Sequence, residues 1–525
     1  MLDDAVAAFL DAVGEREFDE PLLALIRSRG YSDVHLTHGA REFGKDVVAK
    51  LDGEQWVWQS KAGDINQAEW RKIVDQLGEL RLTNLGHGAL DTSLPRRAVL
   101  VTTGRLTGNA PDLFRDYNDR ARRRDEPLLE LWDKDTLLGD LSGNRDAVLR
   151  GSSDGHLIAA LGSIEERRTT MRSLETFSQR WMTWDESRLT GLGVVEAAIL
   201  CDRLEHADRL DLACHLGLCL IRGARSAVAG ETSPAVEAAT RLFEVYGRRL
   251  WAECDNRLLG RRALTGFSGV SGWVTYPARC TRLAELLGLL ALRMRSSGDP
   301  EWVAVADWLA DFVAAQPGAA RPIGDEYAVA LVPTALTLAL RGNGAVERYL
   351  TDVTVWLCDA YEKHCFGLAH VDADATEVID QLLGPPFEHV EISKRRDSRV
   401  AAVVLDLCAA LGLTTLYEDV RNDLEAVRLA PSVLRLAPGP SMWSRTGTDN
   451  RVDPNVPYSE SCEPGAAAAP HHVDPVGEDL CESGDAWDLL AVSSALRDRH
   501  FYRALPAVAG SQAVNLRGTE EPSGD

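Results

Sequence analysis

The protein is 525 residues long and carries 57 Lys plus Arg against 80 Asp plus Glu, a formal charge of −23 at neutral pH. That length exceeds one ordinary hydrophobic core, so two or three domains are expected, and 45% hydrophobic with 26% charged residues is the composition of soluble globular protein. The acidic balance excludes a protein that coats nucleic acid generally, because nonspecific affinity comes from Lys and Arg on phosphates, and it leaves room for a local basic site.

In chain order, residues 2–13 (LDDAVAAFLDAV) read as a short amphipathic helix. Its acids stand where a secretory signal needs bases, so the cytoplasm is the expected compartment. A second helix runs from about Phe18 to Arg29 and stops at Gly30. Tyr31 to Thr37 is a strand, and His38 to Arg41 a loop.

Next comes EFGKDVVAKLDGEQWVWQSK, Glu42 to Lys61, which reads as a β-hairpin. Two β-branched and aromatic runs flank Asp52-Gly53, the dipeptide that best accepts the positive φ angles of a two-residue turn. Leu51 then faces Glu54, and continuing the register puts Asp46 opposite Gln59. By strand alternation Gln59 and Lys61 share the face of Asp46, while Trp56, Trp58 and Ser60 point the other way. Opposed Cβ atoms lie about 5 Å apart, so a carboxylate, an amide and an ammonium converge on one patch. The lysine is notable in itself, for only seven occur, four of them between positions 45 and 72. In a chain that otherwise uses Arg, such lysines mark places where a planar, permanently charged guanidinium does not serve.

After Lys61, Asp64 is the expected cap of a helix whose apolar stripe is Trp70, Ile73, Val74, Leu77 and Leu80. Ala98 to Thr103 reads as a central strand, Pro111 to Arg124 as a helix ending in an arginine cluster, and Leu128 to Trp132 as a last strand before a short helix. The fold class implied for residues 1–150 is α/β, a mixed sheet flanked by helices. Gly151 to Gly155 has linker chemistry. Residues 156–436 show helical spacing almost throughout, with no fixed repeat, and imply a large all-α domain for sensing, DNA recognition or assembly. Residues 437–525 shift to Pro, Gly, Ser and acids, the composition of a partly disordered tail, with one amphipathic stretch at 485–505 that could dock back as a helix. The longest apolar run, Tyr327 to Leu340, is broken by Pro333 and too short to span a membrane. Ten scattered cysteines with no Cys-x-x-Cys pair read as buried free thiols.

The converging groups suit phosphodiester hydrolysis, which needs an activated water and stabilisation of charge growing on the phosphate, both within reach of a bound Mg2+ or Mn2+. Asp46, the Gln59 side chain and the Ser60 carbonyl are the candidate ligands, with Lys61 to polarise the water. Gln59 supplies one anion fewer than an acid would, so a second carboxylate is sought, and Glu20 and Glu42 are the candidates, with Asp19 and Glu17 behind them. Lys45, His38, Arg122 and Arg123 are candidate phosphate contacts. The bland readings are an Asp46 that only bonds backbone amides, a solvated Gln59–Lys61 face, a Glu20 that serves its helix dipole and a solvated arginine cluster.

Asp-x12-Gln-x-Lys on a hairpin, preceded by a helix ending in Gly-Tyr, resembles the Mrr-like branch of the PD-(D/E)xK restriction endonuclease superfamily. Phe18 to Tyr31, Arg96 to Ala110 with its Val-Thr-Thr turn, and Pro127 to Leu141 are similar to that family's other core elements, in the same order. The resemblance implies a metal-dependent DNA endonuclease of restriction or anti-phage defence type, with DNA as partner and a further partner or second copy in attendance. It also implies that a Gln in place of the superfamily's usual acid is compatible with activity. The alternative is a nuclease-like module that binds DNA or protein without cleaving.

Overall fold

The computed structural model describes residues 6–37 (without 8 and 12), 45–83, 91–143, 155–228, 233–254, 271–362, 367–370, 373–384, 395–431, 434–436, 450–452 and 486–496. It divides into two compact units, Met1–Thr169 with Trp184–Arg203, and Thr170–Thr183 with Leu204–Asp525.

The first unit is built on one mixed sheet. Its elements run α1 (Glu15–Ser28), β1 (Ser32–Leu36), β2 (Val47–Leu51), β3 (Glu54–Lys61), α2 (Gln67–Leu82), β4 (Arg96–Thr102), α3 (Ala110–Arg123), β5 (Leu129–Trp132) and α4 (Lys134–Gly143). The five strands lie in sequence order, the first three antiparallel and the last three parallel. Parallel neighbours need crossovers, and α2 and α3 supply them.

Both faces of the sheet are covered, which is why its centre is so apolar. On one face Val48, Val57, Ala98, Leu100 and Leu129 pack against Trp70, Ile73, Leu77 and Leu80 of α2, with Phe114 and Tyr117 of α3 alongside. Strand alternation sends Trp56 and Trp58 to the other face. There Tyr31 sets its ring edge-on to both, Trp58 meets Trp132, and Arg29 from beyond α1 stacks over Trp132 while bonding Asp140 of α4.

The hairpin turn forms as its sequence dictates. Asp52 and Gly53 both take positive φ, +51° and +77°, and Leu51 pairs with Glu54. One helix cap differs from expectation: Asn66, not Asp64, caps α2, its side chain accepting from Ala68 N and Glu69 N at 2.8 and 3.1 Å. Asp64 instead accepts from Arg105 N at 2.8 Å, tying the loop after β3 to the loop after β4.

The second unit is a largely helical body, with two short strand pairs at 397–398 with 430–431 and 434–436 with 450–452. Its long helices are buried along most of their length, notably Leu210–Ala227 and Tyr276–Ser296. A helix at Ala486–Leu496 packs on those two. Trp487 donates to Leu289 O at 2.9 Å, Asp488 pairs with Arg225, and Ser494 bonds Glu285. Phe501 and Tyr502, which the sequence reading placed in the same helix, lie outside the described residues, as does most of 437–485. No helix among the described residues is long and apolar enough to cross a membrane.

Candidate active site

The strand ladder carries Asp46 to the site, but not at the place a regular register gives. Val47 is the partner of Trp58, and Asp46 N also donates to Trp58 O at 2.8 Å. Two residues of one strand therefore oppose one of the other, the arrangement of a β-bulge, which re-aims the first side chain. Asp46 is thus one step off the position opposite Gln59. Its Oδ2 turns onto the backbone of β3 and accepts from Ser60 N at 2.6 Å. Among the described residues its Oδ1 takes no hydrogen bond.

β3 runs on past the end of β2 and leaves backbone groups exposed to the site. The N–H and C=O of one strand residue point to the same side, so the Ser60 carbonyl faces the side on which its N–H meets Asp46. The Lys61 carbonyl faces the other way and accepts from Thr103 N at 3.1 Å.

Asp46 is 8% exposed, and burial pushes its carboxyl above the usual range. The Ser60 N–H and the Lys61 ammonium pull it back down, while Glu15 and Asp19 push it up. That balance places these two acids of α1 within electrostatic reach of Asp46. Lys61 stretches to the first residue of α1, its Nζ 2.8 Å from Glu15 Oε1. Gln59, 3% exposed, points into the opposite layer, where its Nε2 donates to Gln76 Oε1 of α2 at 2.8 Å. Gln59 Oε1 is buried and has no hydrogen-bond partner among the described residues.

The loop after Lys61 is held firmly. Thr102 Oγ1 donates to Gly63 O at 2.6 Å, and Gly63 N donates to Thr103 Oγ1 at 2.9 Å. The threonines of the Val-Thr-Thr turn thus fasten the two strand ends together. Gly104 permits this approach, because a Cβ there would sit 2.3 Å from Gly63 C and 2.4 Å from Asp64 N.

Asp46, Ser60 and Lys61 therefore gather at the splayed end of the hairpin, joined by Glu15 and Asp19, whereas Gln59 turns to the α2 layer and does not share the face of Asp46 as a regular register implies, because the bulge re-aims Asp46. Sequence reading missed Glu15, although its place at the start of a helix packed on β3 was a usable signal. Glu20 lies in α1, but its side chain is outside the described residues, as are Glu42 and His38.

Three candidate phosphate contacts do not join the site. Lys45 is fully buried, its Nζ donating to Glu79 O at 3.2 Å near the end of α2, and burial holds its ammonium down to about 8. A cation so enclosed serves the carbonyls of a helix end, not a phosphate. Arg122 and Arg123 are exposed but at the wrong end of the sheet. Lys61 pairs with Thr102 at the finish of β4, whereas α3 returns along the sheet to Leu129, which pairs with Ala98 at its start. Asn118 clamps that return, bonding Leu129 N and O at 2.9 Å each. Fourteen helical residues place the arginine cluster about 20 Å from the site end of the sheet.

With this geometry in view, comparison with known families decides the fold's affiliation: a restriction endonuclease model, that of the Mrr family, matches residues 10–139. The N-terminal part of the chain carries an Mrr-like restriction endonuclease domain. The match begins before α1 and ends inside α4, so it takes in every strand of the sheet and every residue gathered at the hairpin's end. No curated protein and no solved structure matches the chain.

Among the described residues no group of three or more His, Cys, Asp and Glu side chains is arranged to hold a metal ion. Of the candidate donors, the Asp46 carboxylate and the Ser60 carbonyl lie on one side of β3, while the buried Gln59 amide oxygen lies in the α2 layer. A hard divalent cation accepts carboxylate and carbonyl oxygens.

Proposed function

We propose that the protein is a divalent-metal-dependent DNA endonuclease of restriction or anti-phage defence type, with its chemistry at Asp46, Ser60 and Lys61. The observation that carries this reading is the Asp46 carboxylate, one oxygen on Ser60 N and the other free of hydrogen bonds among the described residues, within electrostatic reach of Lys61 in a restriction endonuclease domain.

Asp46 and the Ser60 carbonyl would hold Mg2+ or Mn2+, with Asp19 or Glu15 supplying the second negative charge, while Gln59, turned to α2, would have to leave Gln76 to join them. When bound, the ion lowers the pKa of water and neutralises phosphate charge. Asp46 is primed for this, since its buried carboxylate lacks enough compensating charge of its own. Lys61 holds the attacking water and offsets charge growing on the phosphate, and Glu15 keeps its ammonium aimed before DNA arrives. The rigid Thr102–Gly63 and Gly63–Thr103 bonds keep Lys61 from drifting, which matters because misplacement by about 1 Å can cost 10²-fold in rate. The helical body would sense a trigger, select DNA or assemble subunits, in the cytoplasm.

One observation favours the non-cleaving alternative: Lys61 is ion-paired and the described acids do not cluster three together. Supercoiled plasmid, modified phage DNA and RNA, each incubated with the protein in Mg2+, Mn2+ or EDTA, separate the two. Metal-dependent nicking of DNA that is lost in Asp46→Ala and Lys61→Ala supports the nuclease. Retained DNA binding with no cleavage of any substrate supports the module.

A further inference from the structure

We infer that Glu15 is a positioning residue that carries the Lys61 ammonium from the α2 side of the sheet to the α1 side, within reach of Asp46. The inference rests on the nuclease reading above and deepens it, because it assigns Glu15 to the lysine and leaves the second negative charge of the metal site to Asp19.

Lys61 starts on the wrong side. Residues two apart on a strand share a face, and Gln59 turns into the α2 layer to donate to Gln76 Oε1 at 2.8 Å. The Cβ of Lys61 therefore leaves β3 on the α2 side as well. Its Nζ nevertheless ends 2.8 Å from Oε1 of Glu15, the first residue of α1. α1 belongs to the other layer, that of Trp56 and Trp58, whose rings meet Tyr31 just beyond its end. Lys61 can make this passage because it is the last residue of β3 and has a flexible four-carbon stem, so it rounds the end of the sheet. From there its ammonium lowers the Asp46 carboxyl, which places the two groups within electrostatic reach. Among the described residues no acid other than Glu15 lies within ion-pairing distance of Nζ.

Glu15 and Asp19 are one helical turn apart, so α1 presents both to this end of the sheet. The Glu15 side chain is 46% accessible, whereas Asp19 is 5% exposed. The exposed acid is engaged by the lysine, and the buried one remains for the ion.

The test is a double-mutant cycle on the full-length protein, Glu15→Ala and Lys61→Ala singly and together. Plasmid cleavage, Mn2+ binding by calorimetry without DNA, and acylation of Lys61 by an amine-directed reagent, read by peptide mass spectrometry, are measured in parallel. Glu15→Ala should lower kcat by up to about 10²-fold, the cost of displacing a reacting group by about 1 Å, with KM for DNA no higher and Mn2+ affinity unchanged. In the Lys61→Ala background the same change should have no effect on kcat. A glutamate at a helix start also serves the helix dipole, and a loss of that kind would persist in both backgrounds. Acylation of Lys61, scaled to the exposed Lys72, should rise about twofold to fivefold in Glu15→Ala, the worth of a partly exposed ion pair. Glu15→Asp keeps the carboxylate and should restore both readings. The inference is overturned if kcat in Glu15→Ala equals or exceeds that of the wild type, if its loss is the same in both backgrounds, or if Lys61 acylation does not change. A fall of about tenfold in Mn2+ affinity would also overturn it, because Glu15 would then serve the ion. Should the folded wild type neither bind Mn2+ nor cleave DNA, the nuclease reading itself fails and takes this inference with it.

Discussion

The two units of the molecule both bury charge, and they differ in how their buried acids are paired. In the helical body Asp325 and Glu285 are bound on both oxygens, although Arg282 Nε and Arg395 Nε have no partner among the described residues. Asp325, 1% exposed, accepts from Ser398 Oγ, Arg399 N and Val400 N on one oxygen and pairs with Arg395 at 3.0 Å on the other. Arg282 pairs with Glu285 at 2.5 Å and meets His215 Nδ1 at 2.9 Å. In the restriction endonuclease domain Asp46 uses one oxygen and keeps the other open, and the buried Gln59 amide bonds at only one end. Completed networks hold a fold together, whereas a buried acceptor left open costs stability and makes sense where something else will occupy it.

The largest effect that could break this contrast is on catalysis. Lys61→Ala should lower the cleavage rate by about 10²–10³-fold, the usual loss when one group stabilising transition-state charge is removed. Its ion pair with Glu15 is partly exposed, with 21% and 46% of the two side chains accessible, so stability should change by less than about 1 kcal/mol. A fall in melting temperature as large as the fall in rate would make Lys61 a structural residue. In the helical body the same kind of change should act the other way. Asp325→Ala strands a buried Arg395 and three donors, and should cost about 3–5 kcal/mol in denaturant unfolding. Mn2+ affinity, which the nuclease proposal assigns to the sheet domain, should not follow it.

Asp46→Asn is a smaller and more pointed test. Burial raises the folded-state pKa of Asp46 above its ordinary value, so between the ordinary and the raised value the folded protein holds a proton that the unfolded chain releases. Stability from this group therefore falls as pH rises through that window, and at neutral pH the ionised carboxylate weakens the fold. Asn removes the charge and can still accept from Ser60 N. The variant should melt higher than wild type at neutral pH and should lose the stabilisation that added Mn2+ gives wild type. A lower melting temperature would mean that Asp46 is a backbone cap and nothing more.

How much of this was legible beforehand follows the range of the interactions. The hairpin was readable because Asp52-Gly53 and the flanking strands encode it locally, and the register from Leu51–Glu54 to Val47–Trp58 is the one the sequence implies. The α/β order was readable because the periodicity changes from strand to helix at each boundary. The bulge at Asp46 was not, since it depends on how β2 meets β1 and β3 together, with Thr37 N donating to Asp46 O at 2.9 Å. Glu15 was not, because it reaches Lys61 from a helix 46 residues away, and neither was the turn of Gln59 toward Gln76, 17 residues on. The exclusion of Lys45 and of Arg122 and Arg123 likewise needed three dimensions. A lysine beside the motif and an arginine cluster look basic in sequence whether they face a cleft, a helix end or the far edge of a sheet.

That last point yields the smallest expected effect, and it tests where DNA lies. Each phosphate neutralised contributes about 0.9 to the slope of log affinity against log salt. If the duplex crosses the hairpin's end, Arg122→Ala and Arg123→Ala, about 20 Å away along α3, should leave that slope unchanged within about 0.3, and binding within twofold. Lys45→Met should likewise leave the slope alone, because a buried ammonium on Glu79 O releases no counterion when DNA binds. Its signature would appear in thermal melting instead. A slope reduced by about 1 in either arginine variant would place phosphates at the opposite end of the sheet. The open oxygen of Asp46 would then lie outside the DNA footprint, and its being unpaired would lose its functional meaning.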